Sequence, residues 1–269
     1  MRSLVLATAV LVGGATIANA QQPDDHGHDH DEVHSHRGPG PHFIDAFFTE
    51  NAFIERKLRP DFFISDGDEG QVYTAQLEVE WALIPNLSIV THIPFHHLSP
   101  EVGSSESGIG DIGIGPKVAV VNDLNRFILA VGGDFDIPTG DADRGLGEEH
   151  AAFAPFLLAW LPFGPERRWL LQTAGHLEIP LTSEPESEHV ELSTALSWTS
   201  PLGLTPIVEG IVEFATEGGP ATWFVAPEFR WEVGGGFEVG AGVRIPVSGP
   251  REDDYRFAVG VIRHFPVPR

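Results

Sequence analysis

The sequence predicts an all-β fold, a transmembrane antiparallel up-and-down β-barrel of about 12 strands. Three observations carry that expectation: strict apolar–polar alternation along most of the chain, an even number of alternating segments, and connections that are in turn tight and long. Period two is the repeat of a strand whose two faces meet different surroundings.

Residues 71–83 show it most clearly. Tyr73, Ala75, Leu77, Val79, Trp81 and Leu83 share one face, and Thr74, Gln76, Glu78 and Glu80 the other. The same pattern recurs at residues 127–137, 190–198, 223–232 and 237–245. Taken through the chain, it gives strands near 52–66, 71–84, 87–97, 108–121, 126–138, 149–162, 167–181, 189–200, 204–216, 222–233, 236–247 and 254–265. Most exceed the ~5–6 residues typical of soluble sheets and are long enough for a tilted membrane crossing.

Alternate connections are tight: Pro85-Asn86, Asn122 to Asn125, Phe163 to Glu166, Pro201 to Gly203, and Gly234-Gly235. The others are longer and mostly acidic: SDGDEG, LSPEVGSSES, TGDADRGLGEEH, TSEPESEH, TEGGPA and SGPREDD. A soluble β-sandwich also alternates. Strand length, loop asymmetry and aromatics near strand ends (Trp81, Trp160, Trp169, Trp198, Trp223, Trp231, Tyr255) favour the membrane barrel.

Composition sets further bounds. Lys and Arg number 16 against 39 acids, for a net charge of −23, which argues against nucleic acid as a partner. The chain has no cysteine, hence neither disulfides nor thiolate chemistry. Residues 1–20 open with one basic residue, continue as an apolar run and end Ala18-Asn19-Ala20, the layout of a cleaved secretory signal peptide. That run is short of the ~20 residues a helical span needs, and no later apolar run approaches that length. The expected organisation is a signal peptide over 1–20, a disordered His/Asp-rich periplasmic tail over 21–42, and an outer-membrane barrel over 43–269.

Two stretches carry a resemblance: Ser107-Gly108-Ile109-Gly110-Asp111-Ile112-Gly113-Ile114-Gly115-Pro116-Lys117, and the strand ending Asp136-Ile137-Pro138-Thr139-Gly140. This pairing resembles the outer-membrane barrel family of the meta-pathway of phenol degradation, over roughly residues 50–265. The resemblance implies a transporter or channel for hydrophobic or aromatic compounds. One departure is the end of the chain: Phe265, in the place of the terminal aromatic common in such barrels, is followed by Pro266-Val267-Pro268-Arg269. On physical grounds Gly108, Gly110, Gly113 and Gly115 mark a strand that bends or lets its neighbours approach, a closure device rather than a substrate site.

With the polar face turned inward, the expected lumen lining is Glu55, Lys57, Arg59, Asp61, Glu78, Glu80, Asp111, Lys117, Asp134, Asp136, His176 and Glu178, continued by Glu191, Glu209, Glu213, Glu228, Arg230, Glu232, Glu238, Arg244 and Arg256. Acids outnumber bases, so an open pore prefers cations; an ion-paired network plugging a narrow barrel is the alternative. Catalysis is not expected: GxSxG is absent, and no nucleophile and base are set together.

The tail packs His26, His28, His30, His34, His36 and His42 among acids that include Asp29 and Asp31. Imidazole and carboxylate suit zinc, copper or nickel, and a tract without fixed spacing binds adaptably. The expected function is thus an outer-membrane channel or transporter for small solutes, with a metal-binding tail and no required cofactor. Its partners are outer-membrane lipid and a small-molecule or metal-ion solute. The alternative is a secreted or periplasmic metal-binding β-protein without pore activity.

Overall fold

A computed structural model describes residues 42–183, 187–251 and 253–267. The expected signal peptide, the tail residues 21–41 and the last two residues lie outside it. Thirteen strand segments follow in chain order: β1 (Arg56–Gly67), β2 (Gly70–Ile84), β3 (Leu87–Pro100), β4 (Glu106–Ile109), β5 (Ile112–Asp123), β6 (Phe127–Ile137), β7 (Ala152–Phe163), β8 (Trp169–Pro180), β9 (His189–Trp198), β10 (Leu204–Ala215), β11 (Thr222–Gly234), β12 (Phe237–Ser248) and β13 (Tyr255–Phe265). Chain neighbours pair antiparallel except β4 and β5, and β1 pairs with β13 (Arg56 opposite Phe265), which closes the sheet. Both β4 and β5 pair with β3 and are parted only at Gly110-Asp111, so they form one interrupted wall strand. The fold is a closed twelve-stranded antiparallel barrel.

Closure leaves no free sheet edge, as a membrane-spanning sheet requires. No helix among the described residues is long and apolar enough to cross a membrane. The outward face is apolar: Phe62, Leu157, Val208, Phe229 and Ile245 are all exposed. Near the tight turns, Trp81 lies 6.2 Å from Phe265 and Phe163 6.2 Å from Trp169, with Arg56 over the Trp81 ring, an aromatic belt with basic anchors.

Four local features differ from the sequence expectation. The segment SDGDEG is not a long loop, because Gly67 pairs with Gly70, whose φ of 126° lets two residues turn the chain. Trp160 is not part of the belt; it is fully buried inside the barrel, since both faces of β7 are apolar and alternation there carried no direction. Asp111 is not free to line a pore, as described below. Finally, β1 starts at Arg56 rather than 52, and the residues before it have another task.

Residues 43–55 run inside the lumen. Apart from the half-buried Phe43, every one of them is buried. Toward the tight-turn end, Phe43 and Phe53 pack on Trp160, Leu158, Ile128 and Leu170, and Leu124 and Val267 join the same cluster. Deeper in, Phe47 and Phe48 pack on Phe63, Ile211, Phe224 and Ala258. Burial of these aromatics supplies the driving force that holds the segment in place.

Candidate functional site, the occupied lumen

The inner wall meets this segment with charge. Arg230 donates through Nε to the Asp45 carbonyl at 2.6 Å, and its guanidinium lies 3.7 Å above the Phe47 ring. Backbone amides of Phe47 and Phe48 donate to the carboxylates of Glu228 (3.0 Å) and Glu209 (3.1 Å). Glu55 donates its amide to Glu80 at 3.2 Å. These bonds satisfy backbone groups that no sheet ladder serves.

Three ion-pair clusters complete the fit. Lys57 Nζ sits 2.9 Å from both Asp45 and Glu78, while Arg59 reaches Asp61 at 2.6 Å. Across the lumen, Glu50 stands 3.5 Å from Lys117 and 3.5 Å from His176, and Lys117 is 3.8 Å from Glu80. At the tight-turn end, His264 bridges Glu55 (2.7 Å) and Glu238 (3.0 Å). Burial would raise the Asp45 carboxyl, but the charges of Lys57, Arg59 and His264 outweigh it and hold the group below the usual carboxylate range. Glu50 is the reverse case: burial dominates the pull of Lys117 and lifts its carboxyl to about 7.

The residues expected to line the lumen divide by height. Glu78, Glu80, Lys117, Asp134, His176, Glu228 and Arg230 are buried on the inner face around residues 43–55. Asp136, Glu178 and Glu191 are partly exposed toward the long-loop end, with Arg244 and Arg256 on the facing wall. Arg244 pairs with Glu213 at 2.6 Å and lies 4.2 Å over the Phe224 ring. Of the tail residues, His42 alone is described, and it is buried. His26, His28, His30, His34, His36, Asp29 and Asp31 lie outside the described residues. Among the described residues, no group of three or more His, Asp or Glu side chains is arranged to hold a metal ion.

The two Gly-rich motifs meet in space. Asp111 accepts the amides of Gly140 (2.8 Å) and Glu148 (2.6 Å). Thr139 Oγ1 accepts from the Ile112 amide at 3.1 Å and donates to the Gly110 carbonyl at 2.8 Å. The loop over residues 138–151 is thereby tied to the break between β4 and β5, and its Leu146 is buried against Gly108. Arg144 adds a 2.7 Å pair with Glu106. The glycines are needed nearby for close approach: a Cβ at Gly115 would strike the Gly133 carbonyl, and one at Gly132 the Pro116 carbonyl and the Phe156 ring.

A closed barrel with an apolar exterior, a charged interior and a chain segment threaded through it belongs to the outer-membrane barrels. The family profile described as "Putative MetA-pathway of phenol degradation" matches residues 73–251, more than half of the chain, and the chain belongs to that family. None of the curated proteins matches the sequence. Among solved structures, the COG4313 outer membrane channel from Pseudomonas putida F1 is similar at a TM-score of 0.61 and 14% identity, covering 82% of this chain and 100% of that one. The NanC porin is similar at 0.56 and 6% identity (78% and 100% covered), and the KdgM porin at 0.54 and 10% identity (78% and 99% covered). At these identities the likeness is one of fold.

Proposed function

We propose that this protein is an outer-membrane channel or transporter for small solutes, its bore set by residues 43–55 and its entrance charge by the acids of β6, β8 and β9. The observation that carries the proposal is a charged, partly solvated inner face inside a closed barrel whose outer face is apolar. A barrel needed only as an anchor has no use for so many ionisable side chains inside, each costly to bury. The family description and the fold neighbours support transport, and the family's description suggests aromatic compounds as solutes. Asp136, Glu178 and Glu191 at the long-loop entrance favour cations over anions.

In this reading the tight-turn end faces the periplasm, with the tail over residues 21–42 at that mouth, where it holds zinc, copper or nickel. Support comes from the start of the described chain, where Phe43 packs beside the tight-turn residue Leu124 and the C-terminal Val267. Planar-bilayer recordings in a salt gradient test the channel. The expected result is a small conductance with a cation-selective reversal potential; a folded, inserted protein that passes no current overturns it. Calorimetry on the mature protein and on a version lacking residues 21–42 tests the tail, and unchanged zinc or copper binding overturns that part.

A further inference from the structure

The two rims of the barrel carry opposite charge. Every long connection holds at least one acid, and Arg144 and Arg251 are the only arginine or lysine residues in all six. The turns and outer strand ends of the opposite rim reverse this, with Arg56, Arg126, Arg167, Arg168 and Arg263 against Asp123 and Glu166. The turn arginines are held within the rim itself: Arg126 stands 4.0 Å from Asp123, Arg168 lies 2.8 Å from Glu166, and Arg167 donates to Asn125 at 3.2 Å. Arg56 and Arg263 are placed differently.

Both point outward from the two strands that close the barrel. Arg56 is opposite Phe265 and Leu58 is opposite Arg263, so the arginines are diagonal neighbours across β1 and β13, about 7–8 Å apart. One nitrogen of each is pinned to a backbone carbonyl: Arg56 Nε donates to Ala82 at 3.1 Å, and Arg263 donates to Gly235. Aromatic rings fix the two guanidinium planes, with Trp81 4.8 Å from Arg56, and Phe237 and Phe265 4.6 and 5.4 Å from Arg263. Neither arginine has a carboxylate partner among the described residues. Toward mid-barrel the same outer face continues as Leu58, Phe62 and Val261, all apolar and exposed.

Two pre-positioned guanidinium forks, each with free N–H groups, suit a phosphodiester oxygen pair. The apolar strip beneath them suits acyl chains, so the ligand needs an anionic head on an apolar body. We infer that Arg56 and Arg263, framed by Trp81, Phe237 and Phe265, form a binding site for an anionic phospholipid in the leaflet at the tight-turn end, set on the seam where β1 meets β13. The leaflet rests on the orientation given in the reading above; the site does not depend on the pore.

The test uses the full mature chain in mixed micelles of phosphatidylglycerol and phosphatidylcholine, with native mass spectrometry reading the lipid each folded barrel retains. The inference expects one phosphatidylglycerol held in preference to phosphatidylcholine. That preference should fall about fivefold in Arg56→Gln or Arg263→Gln and roughly 30-fold in the double variant. Either single variant decides the matter if the double one does not fold. Arg126→Gln, the same charge change on the same rim, should leave the preference intact. Equal retention of the two lipids, an equal loss in Arg126→Gln, or displacement of the lipid by an equal concentration of inorganic phosphate overturns the inference. Orientation is read separately on intact cells with an impermeant maleimide and Arg126→Cys, the sole cysteine in its chain, at a position whose side chain is 85% exposed. Protection of that cysteine is expected. Labelling overturns the orientation and the leaflet with it, whereas lost lipid preference with the cysteine protected overturns the site alone.

Discussion

Asp45→Ala isolates the grip on residues 43–55. Asp45 Oδ1 receives the Lys57 ammonium at 2.9 Å and the Asn51 side-chain amide at 3.0 Å, and Asp45 and Lys57 are both buried. Removing one partner of a buried ion pair costs about 3–5 kcal/mol. Because Lys57 keeps Glu78 at 2.9 Å, the lower end, about 3 kcal/mol, applies here. At ~1.4 kcal/mol per tenfold, docking of the segment weakens by roughly 100-fold. The assay is hydrogen exchange with mass spectrometry in detergent, where peptides from residues 43–55 should lose about 100-fold in protection while β6 to β10 keep theirs. Unchanged protection, or an equal loss across every strand, refutes the reasoning.

Other outcomes follow from single contacts. Glu50 carries a raised carboxyl at about 7, so the docked state binds its proton more tightly than the released one. The contribution of Glu50 to docking is full below the ordinary carboxylate range and is lost as pH rises through about 7, roughly 3 kcal/mol in total; Glu50→Gln should abolish this slope in hydrogen exchange between pH 5 and 8. Asp111→Ala removes two bonds to an ionised carboxylate, each ~1.5–3 kcal/mol, and should speed exchange in residues 138–151 at least tenfold with the barrel unchanged. Leu157→Arg places charge on the exposed outer face at mid-strand and should cost about 2–4 kcal/mol of folding stability in lipid, measured by reversible denaturant titration; no loss would argue for an aqueous exterior. Gly132→Ala should impair heat-modifiable folding, because its Cβ meets the backbone carbonyl of Pro116, which cannot rotate away.

The barrel was legible because lipid outside and charge inside write period two into most strands, as in β2, where Glu78 and Glu80 alternate with Leu77, Val79 and Trp81. It failed on β7, where Ala154, Leu158 and Trp160 face in and Phe153, Leu157 and Leu161 face out, so both faces read alike. The segment over residues 43–55 was illegible for a different reason. Its partners are remote in the chain, Glu228 for Phe47 and Glu209 for Phe48, and irregular backbone satisfied by distant side chains leaves no local period. The GxGD and PTG motifs stood out in the sequence, yet their joint role did not, since Asp111 acts on backbone amides of Gly140 and Glu148, which carry no residue-type signal.

The most direct test of the account is single-channel conductance of the full-length mature protein beside a version that begins at residue 56, both checked for heat-modifiable folding. The account predicts a small, cation-selective conductance for the full chain and a several-fold larger one once residues 43–55 are gone. Equal conductance of the two folded proteins would contradict it.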